Sequence, residues 1–404
     1  MSKDKTANRP LPRWVENICI AGVVIISCIT VLTSYFVYAN SIDWTVLRII
    51  KYLIVMLMFL KIVVFDLNFY SRRMIVGLLI IMICFAISAF VSDNRILLQS
   101  YIVIVAMFRV NYKRLLMYFL IIEGGLFLLI MLLAAFGVIP DLVFGRGGEL
   151  YASRHSLGFR WCATPAIFGW SLSMVFLYCC GKDVEWWELG AVLLVNLALF
   201  IITDTRLELL CTVVGVAAAI VNKYQKKCLT DAVKKTMRML VLLLPLVLMV
   251  GSFVLAYGYD SSNGIMRRLD SWSSSRLRLS NMAVYKYDLT LFGNKTEWMG
   301  LADIYEGKAE EEDFGTVDNS YVLVFLRFGV VVGITILGAY FVLGKWAIVQ
   351  KDYLLEMILI IIIIHSLFNP HIATIPHNAF LLMNMPATMF FVDHPKELMH
   401  CEKK

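Results

Sequence analysis

The stretch MIVGLLIIMICFAISAFV, residues 74–91, runs for 18 residues without a charge. At the α-helical rise of about 1.5 Å per residue it covers roughly 27 Å, close to the hydrocarbon thickness of a bilayer. Working outward, comparable apolar stretches recur at 14–38, 46–65, 96–108, 115–139, 164–180, 189–203, 207–221, 239–257, 320–343, 353–368 and 378–392. Of the 404 residues, 60% are hydrophobic and 17% charged, and the mean hydropathy is +0.76, which excludes an ordinary soluble protein. The expected fold is an all-α polytopic membrane protein with about twelve transmembrane helices. Residues 1–404 form a single integral membrane domain with outer loops at 140–162 and 258–319. The short stretches at 96–108, 189–203 and 378–392 are candidates for re-entrant segments.

A polar or mixed leader precedes the first span and no small-residue cleavage site follows it, so that span is expected to be an uncleaved anchor. The nine cysteines lie mostly in apolar spans or on expected cytoplasmic segments, and Cys179 and Cys180 are adjacent. They form neither a disulfide framework nor a zinc pattern and read as small hydrophobes.

An even number of spans places both termini in the cytoplasm, with Lys3, Lys5, Arg9 and Arg13 at one end and Lys396, Lys403 and Lys404 at the other. Of the 37 basic residues, 21 then lie inside, 12 outside and 4 within spans. Nine of the outer 12 are arginines: Arg95, Arg146, Arg154, Arg160, Arg206, Arg267, Arg268, Arg276 and Arg278. Only seven of the inner 21 are. A lysine satisfies the charge rule, whereas a guanidinium offers a rigid fork for phosphate or carboxylate. The outer face therefore looks built to hold an anion. The bland alternative pairs these arginines with outer acids such as Asp270, Asp288, Glu297 and the run at 310–313.

In the second outer loop, Ser273, Ser274 and Ser275 can cap a short helix. Leu277, Leu279, Met282, Val284 and Tyr287 supply its irregular apolar face, suited to the membrane surface or to covering a cavity. Leu291-Phe-Gly-Asn294 then ends it. No internal repeat and no matched pair of interrupted spans is evident, which weighs against an inverted-repeat transporter.

Charges inside the spans divide in two. Lys51 and Lys61 sit about five residues from opposite ends of the second span, and Arg48 is nearer still to the edge, so snorkelling accounts for them. Glu123 lies mid-span, where an ionisable group costs at least about 2.5 kcal/mol. It must face protein or water, as a structural acid or part of a proton path.

The segment DNSYVLVFLRFG, residues 318–329, places a carboxylate, an amide, a hydroxyl and a phenol at the entrance to a span and a guanidinium within it. Asp318 precedes free helix N–H groups, so it reads either as the N-cap or as a free functional acid. Asn319 and Arg327, eight residues apart, lie about 80° apart around a helix and border one side.

Four stretches resemble the Wzy-type O-antigen and capsular polysaccharide polymerases, relatives of the O-antigen ligases. SSRLRLSNMAVYKYDLTLFGN (274–294) is similar to their S-G-R-L motif and L-F-G turn. VDNSYVLVFLRFGVVVG (317–333) resembles their D-x-x-Y motif, RHSLGF (154–159) an outer-loop R-x-S-L-G-F element, and TDTRLELL (203–210) the T-x-S/T-R start of a span. The likeness covers roughly residues 150–335, with two departures. RWCATPA stands where the family often has a His-Pro-Asn element, and Ser275 replaces the glycine of S-G-R-L.

The resemblance implies a GT-C-like glycosyltransferase of the bacterial plasma membrane that uses no metal, nucleotide sugar or other cofactor and binds no nucleic acid. It transfers a growing glycan from undecaprenyl pyrophosphate to a lipid-linked repeat unit, beside membrane lipids and with a flippase and a chain-length regulator as partners. It also implies roles. Arg276 and Arg206 stabilise the departing pyrophosphate and Asp318 is the general base. Arg154, Arg146, Arg160, Arg278 and Arg327 hold substrate phosphate, and Asn319 and Tyr321 orient sugar hydroxyls or the base. His365, near His371 and His377, offers acceptor contacts or simple interface polarity. The rival readings are an O-antigen-ligase-like glycan transferase and a flippase or transporter of lipid-linked oligosaccharide.

Overall fold

The computed structural model describes residues 11–146, 149–298 and 315–399. The terminal cations Lys3, Lys5, Arg9, Lys403 and Lys404 and the acidic run at 310–313 lie outside the described residues. Helices follow the apolar stretches closely. They are α1 (Arg13–Ser34), α2 (Thr45–Lys61), α3 (Arg72–Val91), α4 (Ile96–Ala106), α5 (Tyr112–Ala135), α6 (Thr164–Cys180), α7 (Trp186–Thr203) and α8 (Arg206–Lys223). After the short α9 (Gln225–Cys228) come α10 (Asp231–Tyr257), α11 (Gly264–Trp272) and α12 (Arg276–Lys286). The chain continues with α13 (Ser320–Phe328), α14 (Val330–Gln350), α15 (Tyr353–His365), α16 (Asn384–Asp393) and α17 (Pro395–Met399). Among the described residues, seven helices are long and apolar enough to cross a membrane, and three shorter ones are apolar.

Burial sorts these helices into an inner and an outer set. The best apolar window of α6 is 78% buried, whereas those of α3 and α10 are 17% and 22% buried. A helix that is apolar on every side and covered on every side is a central one. Most of α15 from Leu354 to His365 is buried too, and α8 touches both α6 and α15. The helices α2, α3, α5, α7 and α10 keep broad apolar faces such as Phe59, Ile80, Ile121, Leu194 and Val247 turned outward.

Connections between helices pack on one another in two groups. In one, Glu16 accepts from the Asn111 N–H (3.1 Å), and the Tyr178 hydroxyl donates to Asp352 (2.9 Å). In the other, Arg160 N donates to Tyr35 O (3.0 Å), Arg154 Nε to Thr203 O (2.9 Å) and Arg276 Nε to Asp318 (3.0 Å).

The fold is that of an all-α membrane protein, and the first outer loop adds one short antiparallel hairpin, β1 (Val143–Arg146) and β2 (Glu149–His155), pairing Val143 with His155 and Phe144 with Arg154. Several other expectations need correction. Lys61 does not snorkel. Its ammonium is 5% exposed, pairs with Asp66 at 2.6 Å and donates to the Ala106 and Phe108 carbonyls, closing the gap between α2 and α4. The π-helical turn Ile62–Asp66 brings the carboxylate back onto it. Lys345, expected on the inner surface, is 3% exposed within α14. The stretch at 378–392 begins as a 3-10 segment, Ala379–Met383, before α16.

The span expected at 320–343 is broken. Gly329, at φ +89°, separates α13 from α14, and the LFGN turn fills the break. Val330 N donates to Thr290 O (3.0 Å), Val331 N to Leu291 O (3.1 Å) and Asn294 N to Arg327 O (3.1 Å). The Asn294 side chain donates to Leu326 O and Ser88 Oγ to Phe328 O. Backbone groups freed by a broken helix must find partners in an apolar surround, and the turn and Ser88 supply them. So LFGN does not end α12, which stops at Lys286. It braces α13, whose first turn carries the DNSY corner.

Glu123 faces protein, as its mid-span position requires: it is 1% exposed and accepts from Ser27 Oγ at 2.8 Å.

Candidate functional site

The site lies at the end of the bundle where α6, α8, α13 and α15 begin or finish. Asn319, not Asp318, caps α13: its Oδ1 accepts from Tyr321 N (3.0 Å) and Val322 N (3.3 Å), and its amide donates to Ser252 Oγ. An asparagine with extended backbone is a strong N-cap, so the carboxylate before it is released from that duty. Asp318 instead accepts from Arg276 Nε at 3.0 Å, across 42 residues of chain. Both side chains keep about a third of their exposure, 30% for Arg276 and 31% for Asp318. The surrounding protein raises the Asp318 carboxyl above its ordinary range, Arg276 opposes that rise, and the nearby Glu208 carboxylate adds to it.

Arg276 opens α12, which forms as expected but without a serine cap. Ser274 and Ser275 both adopt positive φ, 55° and 64°, and none of the cap hydrogen bonds comes from Ser275. The two left-handed residues reverse the chain between α11 and α12. Arg276 Nη1 is tied to Ser273 O (3.2 Å), which aims Nε at Asp318.

Behind the pair lies a second polar cluster. Glu208 Oε1 sits 3.4 Å from His365 Nε2, and the Asn369 amide reaches both, at 3.1 Å and 2.9 Å. Helix ends account for the pairing: Glu208 is in the first turn of α8 and His365 in the last turn of α15, where the helix dipoles favour a negative and a positive charge. Trp170 of α6 stacks on the imidazole at 4.0 Å. Ser320 joins the two clusters, since it follows Asp318 by two residues, donates to the Asn369 carbonyl and takes the Ile372 N–H. Glu208 and Asn369 carry no motif signal. A carboxylate two residues into an apolar run was the available clue for Glu208.

The other candidates divide. Arg154 and Arg206 flank the corner after α7: Arg154 donates to Thr203 O and lies 5.9 Å from the Trp161 ring, and Arg206 is 73% exposed, 3.6 Å from Asp204. Half-buried Arg160 donates its N–H to Tyr35 O. Arg146 lies opposite Glu149 in the hairpin register, with its side chain outside the described residues.

The structure places the five remaining candidates away from the exposed side of the pair. Tyr321 is 1% exposed and its phenol donates to Ile363 O (2.9 Å), so it anchors α13 to α15 and cannot touch a substrate. Asn319 is occupied as a cap. Arg278 is exposed beside Met282, two residues and about 200° round the helix from Arg276. Arg327 lies against Trp298 and Phe328 in the braced break. His365 is 3% exposed and committed to Glu208 and Asn369, so a direct acceptor contact gives way to an internal role. His371 and His377 stack on each other at 3.9 Å, with Tyr35 edge-on to both.

Among the described residues no group of three or more His, Cys, Asp or Glu side chains is arranged to hold a metal ion. No family model matches the chain. No curated protein and no solved structure matches it either.

Proposed function

We propose that the protein is a lipid-pyrophosphate-dependent glycosyltransferase, a polysaccharide polymerase working at the outer face of a bacterial plasma membrane. The observation that carries this reading is the Arg276–Asp318 pair, about a third exposed at one end of a membrane bundle, assembled from two of the four stretches that resemble Wzy-type polymerases. The reading places about twelve spans in the bilayer, with both termini in the cytoplasm.

In this reaction a hydroxyl of the acceptor repeat unit attacks the anomeric carbon of the donor glycan. The bond from that carbon to pyrophosphate oxygen breaks, and the hydroxyl proton passes to a base. Asp318 is the base: its surroundings hold the carboxyl above the ordinary range, and transfer is most effective when pKa approaches the working pH. Arg276 has two roles in sequence. At rest it neutralises Asp318. When diphosphate arrives, the guanidinium turns to the leaving oxygens, where charge grows in the transition state, and Asp318 is freed to accept the proton. Exposed Arg206 and part-buried Arg154, at the corner that leads into α8, supply further cationic contacts to the lipid diphosphate.

The test is incubation of the purified, reconstituted protein with lipid-linked repeat units. A ladder of products supports polymerisation. A single transfer to another acceptor points to a ligase, and translocation without a new glycosidic bond to a flippase. Full activity in both Asp318→Ala and Arg276→Ala would overturn the assignment.

A further inference from the structure

The second outer loop contains an element that the transfer chemistry does not use. Helix α11 presents Ile265, Leu269 and Trp272 to the outside, with exposures of 72%, 42% and 78%. At positions i, i+4 and i+7 these fall within about 60° of arc, so they form one stripe. The side that faces protein is set by Asp270, 8% exposed, which accepts the Arg278 N–H at 2.8 Å. Exposed Arg267 and Arg268 occupy the rest of the circumference. Asn263 caps the helix through Ile265 N and Met266 N, so the stripe belongs to a formed helix.

A stripe of this kind on a loop helix needs a cover, and the position of α11 says which. The chain leaves the lipid-facing α10 at Tyr257, 45% exposed, and enters α11 at Gly264; at the other end of α11, Trp272 meets Phe368, three residues beyond the last residue of α15, so α11 is held beside the ends of two apolar helices. The last turn of α10 itself carries exposed apolar groups such as Val254, 65% exposed. Tryptophan with arginine beside an apolar stripe is the composition of a helix lying in the headgroup layer. We propose that α11 is an in-plane anchor whose Ile265–Leu269–Trp272 stripe seats in the outer headgroup and upper acyl region, with Arg268, beside the stripe, on lipid phosphate and Arg267 on the opposite, water-facing side.

The anchor bears on the site through two contacts. Trp272 meets Phe368 edge-on at 6.2 Å, one residue from Asn369, and the turn at 273–275 delivers Arg276 directly from the end of α11. Seating α11 therefore fixes the height of the Arg276–Asp318 pair relative to the lipid phosphates. The anchor itself stands whether or not that pair performs glycosyl transfer.

The experiment uses the full-length protein in nanodiscs made with lipids brominated either high on the acyl chain or near its end. Nine tryptophans are present, so the emission of Trp272 is taken as the difference between wild type and Trp272→Phe. The expected result is loss of that difference emission with bromines high on the chain, little loss with bromines near its end, and weak quenching by aqueous iodide. Replacing Leu269 by Asp should reverse the order, making Trp272 sensitive to iodide and insensitive to bromolipid. Strong iodide quenching of the wild type overturns the proposal. So does insensitivity to all three quenchers, which would mean that protein rather than lipid covers the stripe. The readout requires no enzymatic activity, so it fails or succeeds independently of the polymerase reading.

Discussion

Replacing Gly329 with alanine should unseat the corner that presents Asp318. A Cβ at this position would stand 2.4 Å from Gly293 N and 2.5 Å from Leu291 O, both backbone atoms that cannot swing aside. The backbone, at φ +89° and ψ 168°, lies in a region open essentially to glycine alone, at a cost of about 1–3 kcal/mol for any other residue. Relief of the overlap requires the LFGN turn to retreat. That breaks the hydrogen bonds from Val330 N to Thr290 O and from Val331 N to Leu291 O, at about 1 kcal/mol each. The sum is roughly 3–5 kcal/mol, among the larger effects of a single substitution. Gly338→Ala, nine residues along α14, is the control: its Cβ meets nothing within 4 Å, and alanine in a helix interior gains about 0.5–1 kcal/mol over glycine. The assay is thermal unfolding in nanodiscs together with limited proteolysis around residues 287–298. Gly329→Ala should melt several degrees lower and be cut faster, while Gly338→Ala matches or exceeds wild type. Equal melting of the two variants would refute the bracing argument.

Asp318→Asn should lower the transfer rate by about 10²–10⁴-fold with little change in melting temperature, measured as product ladders from lipid-linked repeat units. A base works ionised and this carboxyl is raised, so the rate should climb with pH along an acid limb above the ordinary carboxylate value. Arg276→Gln removes the cation that favours the charged form and should move that limb to higher pH. The same shift has a stability sign: an acid raised in the folded state favours folding at low pH, and that contribution is lost as pH rises through the folded value. Lys61→Met should destabilise by about 3–5 kcal/mol because it strands buried Asp66, and adding Asp66→Leu should recover most of the loss, as a double-mutant cycle by thermal unfolding would record. Tyr321→Phe should cost about 1–3 kcal/mol by leaving Ile363 O without its donor, yet leave kcat unchanged; a loss of kcat without loss of stability would return Tyr321 to the substrate.

Periodicity and length made the helices readable, because a segment in hydrocarbon must satisfy its backbone internally and must be long and apolar enough to do so. The hairpin at 143–155 escaped because its alternation is short and interrupted at Gly145. Snorkelling was the economical account of Lys61 taken alone. Asp66 answers it only because a π turn brings it back. Tyr321 and Asn319 looked functional since polar groups at a threshold serve substrate or structure equally well in one dimension.

From the amino-acid order alone came the membrane class, the positions of nearly every helix and the concentration of arginine in the connections expected on one side. Those follow from local quantities, hydrophobic run length and charge placement, that each segment carries by itself. Only the tertiary structure decided that Asn319 caps α13 and thereby frees Asp318, that LFGN completes a broken helix, and that Glu208, His365 and Asn369 meet behind the site. The cap is itself local, but the Arg276 contact that takes up Asp318, the LFGN brace and the Glu208 cluster depend on which helix end lies beside which. That is a property of packing among segments from 32 to 161 residues apart, and no local pattern records it.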